Sequence, residues 1–218
     1  MDPVSDQTAE PALRADALRN RRRILDAAAE AFSEGGLDVG VAEIARRAGV
    51  GAGTLFRRFP CKEDLIFAII EERTLELIEA GREALEEEDP AAALRRFMLA
   101  GVELHVRDQG FFDAAVSRVN KEERLRELRD EIVEIAAELM RRGQAAGTVR
   151  DDVEPVDVPL LMCAAASATA PIHGALPDLW RRYVGLILDG LKPDGASPLE
   201  QAAPTVADLD AALSQQAR

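Results

Sequence analysis

VAEIARRAGVGAGTLFRRFPCKEDL, residues 41–65, is the stretch on which the reading of this chain turns. Val41, Ile44, Ala45 and Ala48 recur at helical spacing, so residues 41–48 form a short helix with one apolar face. Gly49 supplies a turn, and Val50 plugs the space before the next helix. That second helix covers about residues 52–59 and stops at Pro60. It ends in the basic, aromatic run Leu55-Phe56-Arg57-Arg58-Phe59. Two short helices about a glycine-bearing turn form a helix-turn-helix, a geometry suited to a DNA major groove.

Composition at first opposes that reading. The chain has 218 residues, a formal net charge of −13 and a pI of about 4.7. A uniformly negative protein is repelled by phosphate. The charge is uneven, however. Residues 13–62 hold ten Arg/Lys against six Asp/Glu, a net +4, which leaves −17 on the remainder. A basic N-terminal third on an acidic body implies two jobs in one chain. The two cysteines, Cys61 and Cys163, have no metal-ligand spacing and no disulfide pattern, which fits a reducing cytoplasm. No signal-peptide core opens the chain, and the longest nearly apolar run, residues 158–170, is too short to span a bilayer. The expectation is a soluble cytoplasmic protein with no membrane partner, no metal and no cofactor.

Outside the motif the periodicity is helical throughout. Ile24, Leu25, Ala28, Ala29 and Phe32 mark a helix over about residues 13–34, ended by Gly35-Gly36. A helix from Lys62 to about Leu85 precedes a break at EEEDP, residues 86–90, where Asp89 is the N-cap and Pro90 the first helical residue of the next helix. Further helices are predicted near 90–106, 111–116, 121–146, 158–170 and 179–191. The fold class is all-α, about nine helices in total. Residues 1–12 form a disordered arm, 13–65 a three-helix DNA-binding domain with its motif at about 40–59, 66–192 a larger helical domain and 193–218 a mobile tail.

The candidate DNA contacts follow from chemistry. Gly51-Ala52-Gly53 carry almost no side-chain bulk and let backbone approach DNA. Thr54 can bond a phosphate, and Phe56 can pack on sugar or a thymine methyl. Arg57 and Arg58 leave the helix on different sides, one toward bases and one toward phosphate. Lys62 and Arg22 are further backbone contacts. Each arginine alone reads more readily as a solvated surface group than as a contact. Together with the helix spacing they point to double-stranded DNA.

IARRAGVGAGTLFRRFPCKEDL resembles the signature of the TetR family of bacterial repressors. Ile44, Ala45, Ala48, Gly49, Val50, Gly53, Thr54, Leu55, Phe59, Lys62, Glu63 and Leu65 match its pattern, and Ile24 to Phe32 match an upstream one. Gly40, Gly51 and Phe56 depart from it, standing where a capping Thr, a capping Ser and a Tyr are usual. The resemblance implies a homodimer on a near-palindromic operator, with a C-terminal effector-binding and dimerisation domain. It implies a repressor that leaves its operator when a small molecule binds.

The body supports this independently. LLMCAAASATA, residues 160–170, is dense in small residues and allows close helix approach. Leu179, Trp180, Tyr183, Val184, Ile187 and Leu191 form a broad apolar stripe on the last helix, read as a dimer interface rather than core. WRRYVGLILDGL, residues 180–191, with the helix before it, is similar to the C-terminal domain of the SbtR-like branch. Phe97, Met98, Gly101, His105, Phe111, Phe112, Met140 and Met162 are the pocket candidates, suited to an apolar or aromatic effector. His105 and His173, the only histidines, have no nucleophile and carboxylate at useful spacing, so no catalytic residue is assigned and no enzyme is expected. A small-molecule binding protein with a vestigial DNA module is the alternative.

Overall fold

The computed structural model describes residues 9–108, 111, 115, 122–209 and 211, with side chains from residue 19 onward. Among them the chain forms α1 (Ala9–Gly35), α2 (Val41–Arg47), α3 (Ala52–Arg58), α4 (Lys62–Leu85), α5 (Pro90–Arg107), α6 (Glu123–Ala145), α7 (Asp157–Thr169) and α8 (Leu179–Gly190). A short 3-10 turn, Ala170–Ile172, follows α7. No strand occurs among the described residues. The helix expected near residues 111–116 is represented by Phe111 and Ala115, both helical, and its other positions lie outside the described residues. No described helix is long and apolar enough to cross a membrane.

Backbone contacts divide the chain into Met1–Ile69 and Ile70–Arg218. In the first unit α1 packs on α2 and α2 on α3. Ile24, Leu25, Phe32, Ile44 and Leu55 are buried in its core. Gly36 ends α1 with φ 73°, a left-handed turn that an L side chain resists. Of the N-terminal arm expected at residues 1–12, residues 1–8 lie outside the described ones, and 9–12 belong to α1. The helix starts early because Pro11 falls in its first turn, where a missing N–H costs nothing.

In the second unit α5 is the central helix and packs against α6, α7 and α8. Its start is the one the sequence predicts: the Asp89 side chain accepts from the Ala91 N–H at 3.0 Å, with Pro90 following. Phe97, Met98 and Val102 are fully buried along it. Gly101 is where α7 comes closest. A Cβ there would collide with the Met162 sulfur and crowd Leu77.

α4 reaches its neighbours through side chains. Arg96 of α5 pairs with Glu83 at 2.6 Å, and Arg82 pairs with Glu131 of α6 at 2.6 Å. Arg142 of α6 donates to the Leu85 carbonyl at 2.8 Å and also to the carbonyls of Glu87 and Glu88. A cation on the last carbonyls of a helix satisfies orphan acceptors and suits the helix dipole.

In the segment after Pro193, expected to be mobile, Ser197 and Leu199 are hydrogen-bonded to the body. Arg150 forms a bidentate pair with Asp152 and donates to the Ser197 carbonyl, and the Leu199 N–H donates to Asp152 at 3.4 Å. These bonds hold the Asp152 carboxyl down at about 2, first through Arg150. Thr205 and Asp208 then cap each other across a helical turn at 206–209. Residues 212–218 lie outside the described ones.

Gly101→Ala is expected to cost about 1–3 kcal/mol by overpacking the α5–α7 contact. The check is a lower urea midpoint at an unchanged m-value.

Candidate nucleic-acid interface

The turn between α2 and α3 depends on Gly49, whose φ is 63°. In that conformation the Val50 N–H reaches back to the Ala45 carbonyl at 3.0 Å and the Gly49 N–H to Arg46 at 3.2 Å. The two helices are thereby closed on each other over Ile44, Ala45 and Leu55, all buried. Gly40 and Gly51 are the N-caps of α2 and α3, both extended, and neither offers a side-chain cap.

α3 sorts its residues cleanly. Leu55 and, just past the helix end, Phe59 face inward, while Ala52, Gly53, Thr54, Phe56, Arg57 and Arg58 are exposed. Phe56 leaves half of its surface, 51%, in solvent. Gly53 is the more telling residue. Its backbone is helical, and a Cβ built there meets nothing within 4 Å. The fold gives no reason for glycine, which is about 1 kcal/mol worse than alanine in a helix.

Electrostatics thin the cations that sequence counting supplies. Glu43 accepts from Arg46 at 2.7 and 2.8 Å and from Arg47 at 2.9 Å, while Arg47 also bonds Glu34 at 2.7 Å. The two guanidiniums hold the Glu43 carboxyl down at about 2, and both arginine pKa values are raised by the same bonds. Because the Glu43 pKa is depressed, its pairing is present above about 4.5 and is lost as pH falls toward 2. Arg46 and Arg47 are thus ion-paired within the module. Arg57 and Arg58 are exposed, and no ion pair among the described residues engages them. Arg22 is exposed on α1.

Lys62 makes a contact within the module that its sequence context does not suggest. It is half-buried, and its Nζ donates to the Leu37 carbonyl at 2.8 Å. The bond ties the start of α4 to the loop after α1, so the ammonium serves the module's own geometry. Only the spacing of Leu37 from Lys62 in three dimensions shows this.

In the second unit Phe97, Met98, Gly101, Phe111, Met140 and Met162 are buried and His105 is half-buried; Phe112 lies outside the described residues. A cleft of about 390 Å³ opens between the first turns of α5, the turn at Thr148–Val149 and the end of α8, lined by none of those residues. On α8, Trp180 and Val184 are buried in the subunit's own core, as is the C-cap Leu191; Leu179 and Ile187 are half-buried, and Tyr183 is exposed. The outer face instead carries Leu160, Ala164 and Ala168 of α7 with Leu186 of α8. Sequence spacing alone gave α8 one broad stripe and no means of telling its inner edge from its outer one.

A family model described as bacterial regulatory proteins, tetR family, matches residues 24–69. A second, described as the C-terminal domain of SbtR-like transcriptional regulators, matches residues 89–193. Among solved structures, a TetR transcriptional regulator from Streptomyces coelicolor is 33% identical, with a TM-score of 0.63, over 80% of this chain and 99% of that one. A TetR regulatory protein from Mycobacterium vanbaalenii is 36% identical, with a TM-score of 0.61, over 83% of this chain and 99% of that one. An HTH-type transcriptional regulator of Staphylococcus aureus strain bovine RF122 is 42% identical over 60 residues, 27% of this chain. That match spans 32% of the relative's own length.

Lys62→Met is expected to lower stability by about 1 kcal/mol through the lost Leu37 bond, whereas Arg58→Ala stays within about 0.5 kcal/mol of the parent. Urea unfolding of the two variants side by side checks the contrast.

Proposed function

The chain belongs to the TetR family of bacterial regulatory proteins, and from that membership we propose that it is a homodimeric, ligand-responsive repressor acting in the cytoplasm on a near-palindromic operator. The carrying observation is Gly53. A helical glycine with open space at its Cβ position, beside exposed Thr54, Phe56, Arg57 and Arg58, suits a surface that a nucleic acid approaches closely. It also weighs against a vestigial DNA module. Once binding is lost, nothing within the fold favours glycine over alanine at that position.

In this reading each subunit lays α3 in a major groove, with half-sites about one helical turn apart. Gly53 admits the backbone, Thr54 and one of Arg57 and Arg58 meet phosphate, and the other arginine and Phe56 meet base edges. Arg22 adds a phosphate contact from α1. Lys62 acts through the Leu37 bond, holding the module's shape. The acidic remainder of the chain limits non-specific attraction to DNA.

The dimer seam of this proposal is the outer α7–α8 face, with Leu160, Ala164, Ala168, Tyr183 and Leu186 as its centre. Small residues on α7 let a partner helix come close. The effector, an apolar or aromatic small molecule, enters among Phe97, Met98, Gly101, His105, Phe111, Phe112, Met140 and Met162. Of these, Phe97, Met98, Gly101, Phe111, Met140 and Met162 are buried, so a ligand has to displace side chains, and methionine is the residue best able to yield. The ligand acts only through its differential affinity for the two states of the body. A shift of α4 is the output, because that helix runs unbroken from residue 62 to residue 85.

Selection from a pool of random duplexes tests the DNA claim. The expected product is an inverted repeat bound with a steep salt dependence; a flat salt response with no enriched sequence sinks the proposal. Gly53→Ala is expected to keep or raise thermal stability while weakening binding to the selected duplex by about tenfold or more. Leu186→Glu is expected to give monomers in light scattering and to abolish cooperative binding. A dimer that survives Leu186→Glu places the seam elsewhere.

A further inference from the structure

A buried cation, an exposed one and their carboxylates join α4 to the end of α5 in an arrangement the helix-turn-helix does not use. Arg73 of α4 is 3% exposed, and its Nε meets Asp108 at 2.6 Å. Asp108, the C-cap of α5, is itself 7% exposed at the side chain. Arg107 of α5 crosses back to Glu76 of α4 at 2.7 Å. Each arginine also reaches an acid on its own segment: Arg73 to Glu76 at 3.0 Å, and Arg107 to Asp108 at 3.5 Å. The four charges alternate around a closed ring, two sides within segments and two between them.

We infer that this ring is a latch that sets the position of α4, with Arg73 and Asp108 as positioning residues for regulation. A lone buried ion pair is a poor switch. Separating it leaves an uncompensated charge in a dry site, which is strongly unfavourable. The ring removes that obstacle. When α4 moves against α5, the two cross-helix bonds break together, and each arginine keeps the carboxylate of its own segment. Both the closed and the opened arrangement stay charge-paired, the property a two-state element needs. The location serves the same end. Asp108 lies seven residues beyond Gly101 on the same helical segment, on the order of 10 Å along it. A ligand that displaces the α5 side chains near Gly101 pushes directly on the ring. The inference rests on the proposal that the chain is an effector-responsive regulator, and it names the joint through which the response passes.

The test uses the full chain and the duplex that the wild type enriches from a random pool. Asp108→Asn keeps shape and removes one corner of the ring. Glu76→Gln cuts the other cross-helix bond at the more exposed corner, 22% exposed, and covers the case in which the first variant fails to fold. The double variant Arg73→Met/Asp108→Leu bridges the same gap without charge. The expected result is about tenfold weaker binding for Asp108→Asn and about threefold for Glu76→Gln, the range of ordinary allosteric coupling. Amide exchange over residues 70–78 of α4 speeds up in both single variants. The double variant stays within about threefold of wild type in affinity and exchanges slowly. Single variants that unfold more easily but bind the duplex as wild type does overturn the latch, because the ring is then only structural. A double variant as weak as Asp108→Asn overturns it too. A wild type that enriches no duplex removes the regulatory reading instead; the exchange rates then decide, and unchanged α4 exchange in both single variants overturns the latch.

Discussion

Arginine side chains hold α4 in the larger unit, and this constraint governs how the rest of the molecule can work. Arg96 and Arg107 reach it from α5, Arg124 and Arg142 from α6, and its own Arg73 and Arg82 reach outward. The exposed pairs among these contribute little individually, on the order of 0–1 kcal/mol each. The weight falls on the buried Arg73–Asp108 pair and on the part-buried grip of Arg142 on the Leu85 carbonyl that ends α4. Apolar contacts seat α4 as well: Ile78 and Ala84 are buried, and a Cβ at Gly81 would strike Ile135 and Phe97. The charge pairs add orientation to a helix that starts in the smaller unit and continues into the larger one.

Charge is arranged on the same principle in the small unit. The basic segment owes its excess to arginines, yet Glu43 holds two of them and Glu34 shares one. Those pairs stiffen α2 against the end of α1. On α3, Arg57 and Arg58 stand exposed beside a phenylalanine half in solvent and a glycine with nothing near its Cβ position.

The legible features were those with local causes. The Asp89-Pro90 start of α5, the Gly36 end of α1 and the left-handed Gly49 all follow from the conformational preferences of single residues. The inward Leu55 and outward Phe56 follow from the 3.6-residue period. Features with distant causes stayed hidden. Lys62 is 25 residues from the carbonyl it bonds, and Arg73 is 35 from Asp108. The tail's attachment depends on Arg150 and Asp152, 47 residues before Ser197 and Leu199. Periodicity carries no record of such partners.

α8 shows where the boundary lies. Its sequence alone established an amphipathic helix with an apolar stripe too broad for one neighbour, and that much is intrinsic to side-chain spacing. Which edge of the stripe is core and which is free was decided only by the packing of α8 against α5 and α7, which takes in Trp180 and Val184 and leaves Tyr183 and Leu186 outside. In the same way residues 41–65 by themselves determined a helix-turn-helix, because its turn, its period and its stop are written in adjacent residues. The pairing of its cations and the seating of α4 were settled only by folding, because burial and ion pairing depend on what other parts of the chain bring within a few ångströms.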